Sequence, residues 1–187
     1  MATSEPINGV DVTRLFETLE AVKADPSLGK FHFRASSEWE NGALTRTTIK
    51  DFYGAGTNDT SRSDSPFVLT SDEPAMLLGE NSAANPTEAV LHALASCLTV
   101  GMSYNAAARG IKIDKLGFEL EGDLDLQGFL GLSPDVRSGY SDIRVTCNIE
   151  ADAPRETLEE LCQYAQDHSP VFDIVSNPVA VEVQLAE

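Results

Sequence analysis

The sequence contains few cysteines and few positive charges. Its 187 residues include 3 cysteines, 13 lysines and arginines, and 30 aspartates and glutamates, which gives a formal net charge of −17. An odd number of cysteines without a CxxC pair is not typical of a secreted disulfide framework or a structural zinc site. A reducing cytoplasm is therefore the expected compartment. Because the negative charge repels phosphate backbones and anionic lipids, nucleic-acid and membrane partners are not expected.

Long hydrophobic segments are also lacking. The first ten residues contain neither the basic region nor the apolar region of a secretory signal, so none is expected there. The longest mostly apolar run, residues 89–102, is too short to span a bilayer and contains His92. Hydrophobic residues still make up 42% of the chain, which predicts a globular protein with a sizeable core.

The hydrophobic patterning predicts an α+β chain with antiparallel sheet. The predicted elements are a helix over 11–25, a hairpin over 30–54 with a type I′ turn at Asn41-Gly42, one or two short strands within 67–80, a central helix from Asn85 to near Gly110, a long strand over 111–128, a turn-rich connection over 129–139, a returning strand over 140–151, a helix over 152–170 and a final strand over 178–186.

The central helix carries Cys97, the cysteine of greatest chemical interest. Asn85 and Glu88 flank Pro86 in a capping-box pattern that places the helix start at Asn85. Cys97 follows twelve residues later, roughly 18 Å along the axis at about 1.5 Å per residue, where the helix dipole no longer acts. A reactive thiolate at this depth would need a cation from another element, such as an arginine of the predicted hairpin.

Packing is the alternative interpretation for each cysteine, since free cysteine is often a small buried residue. Cys147 on a predicted strand and Cys162 on a predicted helix are interpreted as core residues. His92 lies on a different face of the central helix from Cys97, so a Cys–His pair is not expected. The apolar stripe of the central helix is predicted at Val90, Leu94, Cys97, Gly101 and Tyr104 or Asn105, and that of the second helix at Leu158, Leu161, Cys162, Ala165 and Ser169.

Three segments of the chain carry a family resemblance. They are "EWENG" followed by "TR", which ends at Arg46, "NPTEAVLHALASC", which ends at Cys97, and "HSPVFDIVSNP", which contains Ser169. In this order they resemble the OsmC/Ohr family of osmotically induced and organic hydroperoxide resistance proteins, and "GDLDLQGFLGL" is similar to a sub-branch of it. The resemblance covers roughly residues 30–187, which predicts an OsmC-like domain there and a helical extension over 1–29.

The resemblance implies an OsmC-like fold, with antiparallel sheets around the central cysteine-bearing helix and two chains in an intertwined homodimer. The ligand pocket is then expected at the dimer interface. Cys97 matches the peroxidatic cysteine of the family. Arg46, just past the first hairpin turn, matches the arginine that faces this cysteine, and Arg34 is the alternative. No metal or organic cofactor is implied.

Two positions depart from the family pattern. Two-cysteine members carry a resolving cysteine just before the proline of "HSP", where this chain has Ser169. The organic hydroperoxide branch also carries a glutamate directly after the Asn-Pro pair, where this chain has Thr87. Glu88, one position later, is better explained as a capping-box residue.

Two functions are therefore expected. The first is reduction of organic hydroperoxides by Cys97 with Arg46, and an external thiol reductant regenerates the enzyme because serine cannot form a disulfide. The alternative is a non-catalytic module of the same fold that binds a small apolar ligand. The two functions differ in whether Cys97 is accessible to solvent and paired with an arginine.

Overall fold

The computed structural model describes residues 5–186, which form two compact units. The first unit contains residues 11–90, and the second contains residues 5–10 together with 91–186. Helices and antiparallel sheets occur in the same chain, so the predicted α+β class is confirmed. None of the helices among the described residues is long and apolar enough to cross a membrane.

The first unit contains an N-terminal α-helix and two antiparallel sheets. Its elements are helix α1 (Val12–Ala24), strands β1 (Ser36–Asn41), β2 (Leu44–Ile49) and β5 (Phe67–Ser71) in a sheet of order β1-β2-β5, and strands β3 (Phe52–Gly54) and β4 (Thr57–Asp59) in a second sheet. The predicted first helix is confirmed, and the side chain of Asp11 caps it by accepting a hydrogen bond from the backbone N of Arg14 at 3.0 Å.

The β1–β2 hairpin forms where it was predicted, but its turn differs. Asn41 stays in the ladder and pairs with Leu44, so the two turn residues are Gly42 and Ala43. Gly42 has a φ of +56°, and Ala43 has no positive φ. This pattern matches a type II′ turn rather than the predicted type I′ turn at Asn41-Gly42.

The first strand of this hairpin starts at Ser36, whereas the alternation predicted a start at residue 30. Phe31 and Phe33 instead stack on each other with ring centres 5.6 Å apart, and both lie against Phe52. Their spacing of two residues therefore produces an aromatic cluster instead of a continuation of the strand.

Helix α2 (Pro86–Ala108) begins in the first unit and continues in the second. The predicted capping box at its start is confirmed. The side-chain oxygen of Asn85 accepts a hydrogen bond from the backbone N of Glu88 at 2.8 Å, and the Glu88 carboxylate accepts one from the backbone N of Asn85 at 2.9 Å. Two of the backbone donors at the helix start are thereby satisfied.

The second unit contains a long two-stranded sheet and the remaining helices. Its elements are strands β6 (Ile113–Asp123) and β7 (Asp142–Ala151), the short helix α3 (Leu126–Phe129) between them, and helices α4 (Arg155–Asp167) and α5 (Pro170–Ser176). Met102 and Ala106 of α2 and Leu161 and Ala165 of α4 form the buried core cluster. The inner faces of both strands pack against it.

The buried stripe of α2 differs from the predicted one by one position over much of its length. Leu94, Leu98, Met102 and Ala106 are buried, whereas Val90 and Tyr104, both predicted on the stripe, are exposed. Because α2 is apolar on most of its circumference, hydrophobicity alone did not indicate which side faces the core.

The predicted final strand over residues 178–186 is absent from the described chain, where this segment has no strand pairing. A strand needs the edge of another strand to satisfy its backbone groups. The alternating apolar side chains of the segment are therefore exposed: Val183 to 93% and Leu185 to 98%.

Asp72 organises the loop that precedes α2. Its carboxylate is only 3% exposed and accepts hydrogen bonds from the backbone N of Ser82 at 3.0 Å, the Ser82 hydroxyl at 2.8 Å, and the backbone N of Glu73 and of Glu80 at 2.8 and 3.2 Å. These bonds, those from Ser82 above all, hold the pKa of Asp72 below its usual value.

Asp72→Asn should lower the free energy of unfolding at pH 7, because an amide nitrogen would face backbone donors. Since the pKa of Asp72 is lowered in the folded state, its stabilising effect is fully present above the unfolded-state pKa of about 3.9. The effect is lost as the pH falls through the folded-state pKa. Urea unfolding of wild type and variant should therefore show a difference at pH 7 that shrinks in acid.

The matched control for this experiment is Asp64→Asn, which removes the same charge from an exposed side chain. This variant should behave like the wild type at both pH values. Equal stability of wild type and Asp72→Asn at pH 7 would contradict the role assigned to Asp72.

Candidate active site

Cys97 lies in the second unit at the edge of the buried stripe of α2. Leu94 and Leu98 beside it are buried, and Cys97 itself is half-buried. One turn further along the helix, Gly101 contacts α4, and a Cβ placed on Gly101 would lie 3.4 Å from the Cβ of Ala165. A Cβ at this position would thus already be in van der Waals contact with α4, so there is little room for a larger side chain one turn from the cysteine.

Helices α2 and α4 are antiparallel at this contact. Near the end of α2, the Arg109 guanidinium lies 3.8 Å from the Glu160 carboxylate and 5.6 Å from the ring centre of Tyr164. Earlier on α2, Gly101 meets Ala165, which is later on α4. This antiparallel direction predicts that Cys97, one turn before Gly101 on α2, and Ser169, four residues after Ala165 and just beyond α4, lie at a similar level.

Ser169 is buried, with 5% of its surface exposed, and caps helix α5. Its hydroxyl oxygen accepts a hydrogen bond from the backbone N of Phe172 at 3.1 Å. The prediction that Ser169 continues the stripe of the preceding helix was wrong, because α4 ends at Asp167 and Pro170 starts a new helix. Proline at a first helical position fits this geometry.

A cavity of about 400 Å³ lies next to these residues in the second unit. Its apolar lining is Leu94, Ile143, Val145, Phe172 and Val175, and its polar lining is Arg137, Tyr140, Ser141, Asp142 and Ser176. Leu94 precedes Cys97 by three residues and is therefore about 60° from it around the helix. Phe172 is the residue whose backbone N Ser169 caps. The cavity is thus lined by sequence neighbours of both positions.

Arg137, which was not predicted as a site residue, supplies the positive charge among the residues lining this cavity. It lies in the loop between α3 and β7, which was predicted only as a turn-rich connection. Tyr140, also in this loop, is fixed against Gly122, where a Cβ would lie 2.5 Å from the tyrosine ring. The signal available in the sequence was a lone arginine among turn residues, which is not specific.

Arg46 and Arg34, the two arginines proposed from the resemblance, both belong to the first unit. The Nε of Arg46 donates a hydrogen bond to the Glu40 carboxylate, which raises the pKa of Arg46. Arg34 lines a separate cavity of about 490 Å³ together with Lys50 and Asp51. Because Cys97 belongs to the second unit, its pairing with either arginine stays a prediction.

The cysteines of the chain are not part of a metal cluster or a disulfide in the described structure. Among residues 5–186, no group of three or more His, Cys, Asp and Glu side chains is arranged to hold a metal ion. Cys97, Cys147 and Cys162 are all free thiols.

A family model described as "OsmC-like protein" matches residues 79–184, more than half of the chain. The chain belongs to the OsmC-like family. The resemblance found in the sequence is thereby confirmed, and the matched region contains the whole of α2, α4 and α5. No curated protein sequence gave a significant match.

Solved structures confirm the OsmC-like fold. An OsmC-like protein from Mycoplasma pneumoniae superposes with a TM-score of 0.61 at 16% identity, over 79% of this chain and 89% of that one. An OsmC-like protein from Vibrio cholerae gives 0.53 at 12% identity, over 76% and 92%. An organic hydroperoxide resistance protein OsmC from Legionella pneumophila gives 0.51 at 16% identity, over 77% and 88%.

The expected proximity of Cys97 and Ser169 in this OsmC-like chain determines which oxidation products should form. Excess peroxide without reductant should take wild-type Cys97 to sulfinic acid, because Ser169 offers no thiol to trap the sulfenic acid. In the Ser169→Cys, Cys162→Ser double variant, oxidation should instead link position 169 to Cys97. Peptide mass spectrometry under non-reducing conditions detects both products.

Cys162→Ser alone is the matched control, because it removes the same cysteine as the double variant but adds no thiol at position 169. It should give sulfinic Cys97 like the wild type. Absence of the cross-link in the double variant would mean that Cys97 and position 169 do not meet, and the register derived from the α2–α4 contact would be wrong.

Proposed function

We propose that this OsmC-like protein reduces organic hydroperoxides with Cys97 as the attacking thiol. The observation that carries the proposal is the position of Cys97, half-buried on α2, one turn from the α4 contact and three residues from Leu94, which lines a cavity with an apolar side. An apolar wall suits the organic part of such a substrate. The Legionella pneumophila protein of similar fold is named an organic hydroperoxide resistance protein.

The proposed reaction begins with attack of the Cys97 thiolate on one peroxide oxygen. The S–O bond forms as the O–O bond breaks, so that the cysteine becomes a sulfenic acid and an alcohol leaves after protonation. Arg46 is proposed to stabilise the thiolate and the developing alkoxide, with Arg34 as the alternative. A guanidinium has five N–H donors, and the bond to Glu40 occupies the one on Nε, so the others stay available.

An external thiol is proposed to complete the cycle. Ser169 occupies the resolving position and cannot form a disulfide, so a small thiol or a thiol protein must reduce the sulfenic acid. The reducing cytoplasm, where we place the protein, supplies such thiols. No metal or organic cofactor takes part in this scheme. Residues 30–187 are proposed to carry the activity, with residues 1–29 as an N-terminal extension.

In a Cys162→Ser background, which removes the thiol of α4, Cys97→Ser should reduce hydroperoxide turnover to the uncatalysed level, measured as kcat/KM for tert-butyl hydroperoxide with dithiothreitol as reductant. Cys147→Ser is the matched control and should keep the activity. Arg46→Met should lower kcat/KM by about 100-fold or more, as expected for loss of one stabilising donor, and should slow alkylation of Cys97 at pH 7. Arg34→Met should do neither.

The alternative function is binding of a small apolar ligand in the 400 Å³ cavity without chemistry, which the apolar lining also suits. The same variants separate the two. Equal turnover with and without Cys97 in the Cys162→Ser background would exclude the peroxidase, and a larger effect of Arg34→Met would transfer the role of Arg46 to Arg34.

We further propose that the protein is an intertwined homodimer. Support comes from residues 178–186, whose alternating apolar side chains are exposed and lack a strand partner within the described chain. An edge strand of a second chain would satisfy their backbone groups and cover these side chains.

Sedimentation velocity at micromolar concentration should therefore show a dimer. Val183→Asp should weaken it, because this side chain would become buried against the partner. Gln184→Asp is the matched control, since adjacent residues of a strand point to opposite faces. A stable folded wild-type monomer would contradict the dimer, and equal effects of the two variants would exclude the segment from the interface.

A further inference from the structure

Cys147 and Cys162 meet although they belong to different elements of the second unit. Both line one cavity of about 300 Å³ between β7 and α4, where Arg155 and Glu159 of α4 also contribute to the lining. Both are half-buried and pack against the core cluster. Neither has a role in the proposed peroxidase reaction.

The two thiols are close enough to interact directly. Both side chains line the same cavity, and Cys162 contributes to the raised pKa of Cys147, as a thiol does only at short range. Strand alternation places Cys147 on the same face of β7 as Ile149, which packs against the core cluster, and Cys162 follows the fully buried Leu161 on α4. The thiols therefore face each other across the interface between strand and helix, and the cavity connects them to small molecules from outside.

The pair is also chemically asymmetric. Burial, together with the neighbouring Cys162, raises the pKa of Cys147 to about 12. Cys147 is therefore a poor first nucleophile at physiological pH, and it must give up its proton when its sulfur attacks in a second step.

We infer that Cys147 and Cys162 form a second redox site, which hydroperoxides oxidise to an intramolecular disulfide. The Cys162 thiolate attacks a peroxide oxygen, so that an S–O bond forms, the O–O bond breaks, and the alkoxide takes a proton from water. The sulfur of Cys147 then attacks the sulfenic sulfur. The S–S bond forms as the S–O bond breaks, and the leaving hydroxide takes the Cys147 proton to become water.

The site would connect oxidation to the position of α4. A disulfide between β7 and α4 ties this helix to the sheet, and α4 is the helix that contacts α2 at Gly101 and precedes Ser169. The inference does not depend on the proposed function, because neither step involves Cys97. Failure of one therefore leaves the other intact.

Peptide mapping tests the inference directly, because trypsin places the three cysteines in separate peptides: 63–109 with Cys97, 145–155 with Cys147 and 156–187 with Cys162. The folded full-length protein is treated with tert-butyl hydroperoxide, blocked with N-ethylmaleimide and digested without reductant. We expect a cross-link between peptides 145–155 and 156–187 that disappears on reduction. The Cys97→Ser variant should give the same cross-link, and Cys162→Ser should give none.

A second measurement avoids reliance on variants. Phenylarsine oxide bridges two neighbouring thiols, so with the reduced wild type it should protect peptides 145–155 and 156–187 together from N-ethylmaleimide. Protection of one peptide alone, or of neither, would overturn the inference. Oxidation that yields only cross-links to peptide 63–109, only links between chains, or a 145–155 to 156–187 link that requires urea would overturn it as well.

Discussion

Helix α4 lies so close to α2 at Gly101 that a Cβ placed there would already be in van der Waals contact with the Ala165 methyl group, 3.4 Å away. This close contact sets the register between the two helices. Cys97 and Ser169 flank it on one side, and Arg109, Glu160 and Tyr164 continue it on the other. Cys162 also belongs to α4, so the position of α4 sets its distance from β7. A larger residue at position 101 would displace all of these groups at once.

Much of the fold could be predicted because the information is local. The capping box at Asn85 and Glu88 involves residues three positions apart, and the 3.6-residue and two-residue periods of α4 and β6 are visible within single segments. The failures concern segments whose structure depends on distant residues. Phe31 and Phe33 alternate like a strand but pack on Phe52 instead, and residues 178–186 alternate without an edge to pair with in the described chain.

The candidate site could be predicted only where a family pattern marks it. Cys97 and Ser169 follow from the family motifs, and the antiparallel direction of α2 and α4 predicts that they lie at a similar level. Arg137 and the Cys147–Cys162 pair could not be found in this way. Arg137 is notable because it lines a cavity, and the two cysteines because a strand and a helix bring them together. Neither arrangement produces a recognisable spacing or periodicity in the sequence.

The carboxylate of Asp72 accepts hydrogen bonds from residues 73, 80 and 82, all within the ten positions that follow it. These bonds constrain the number of residues in the segment between Glu73 and Ser82. Adding or deleting a single residue between Glu73 and Ser82 would move donors away from the acid and leave it unsatisfied in a buried place. Natural variation in loop length should for this reason be rare here as long as the aspartate is kept, and relatives with a longer or shorter segment should carry a neutral residue in its place.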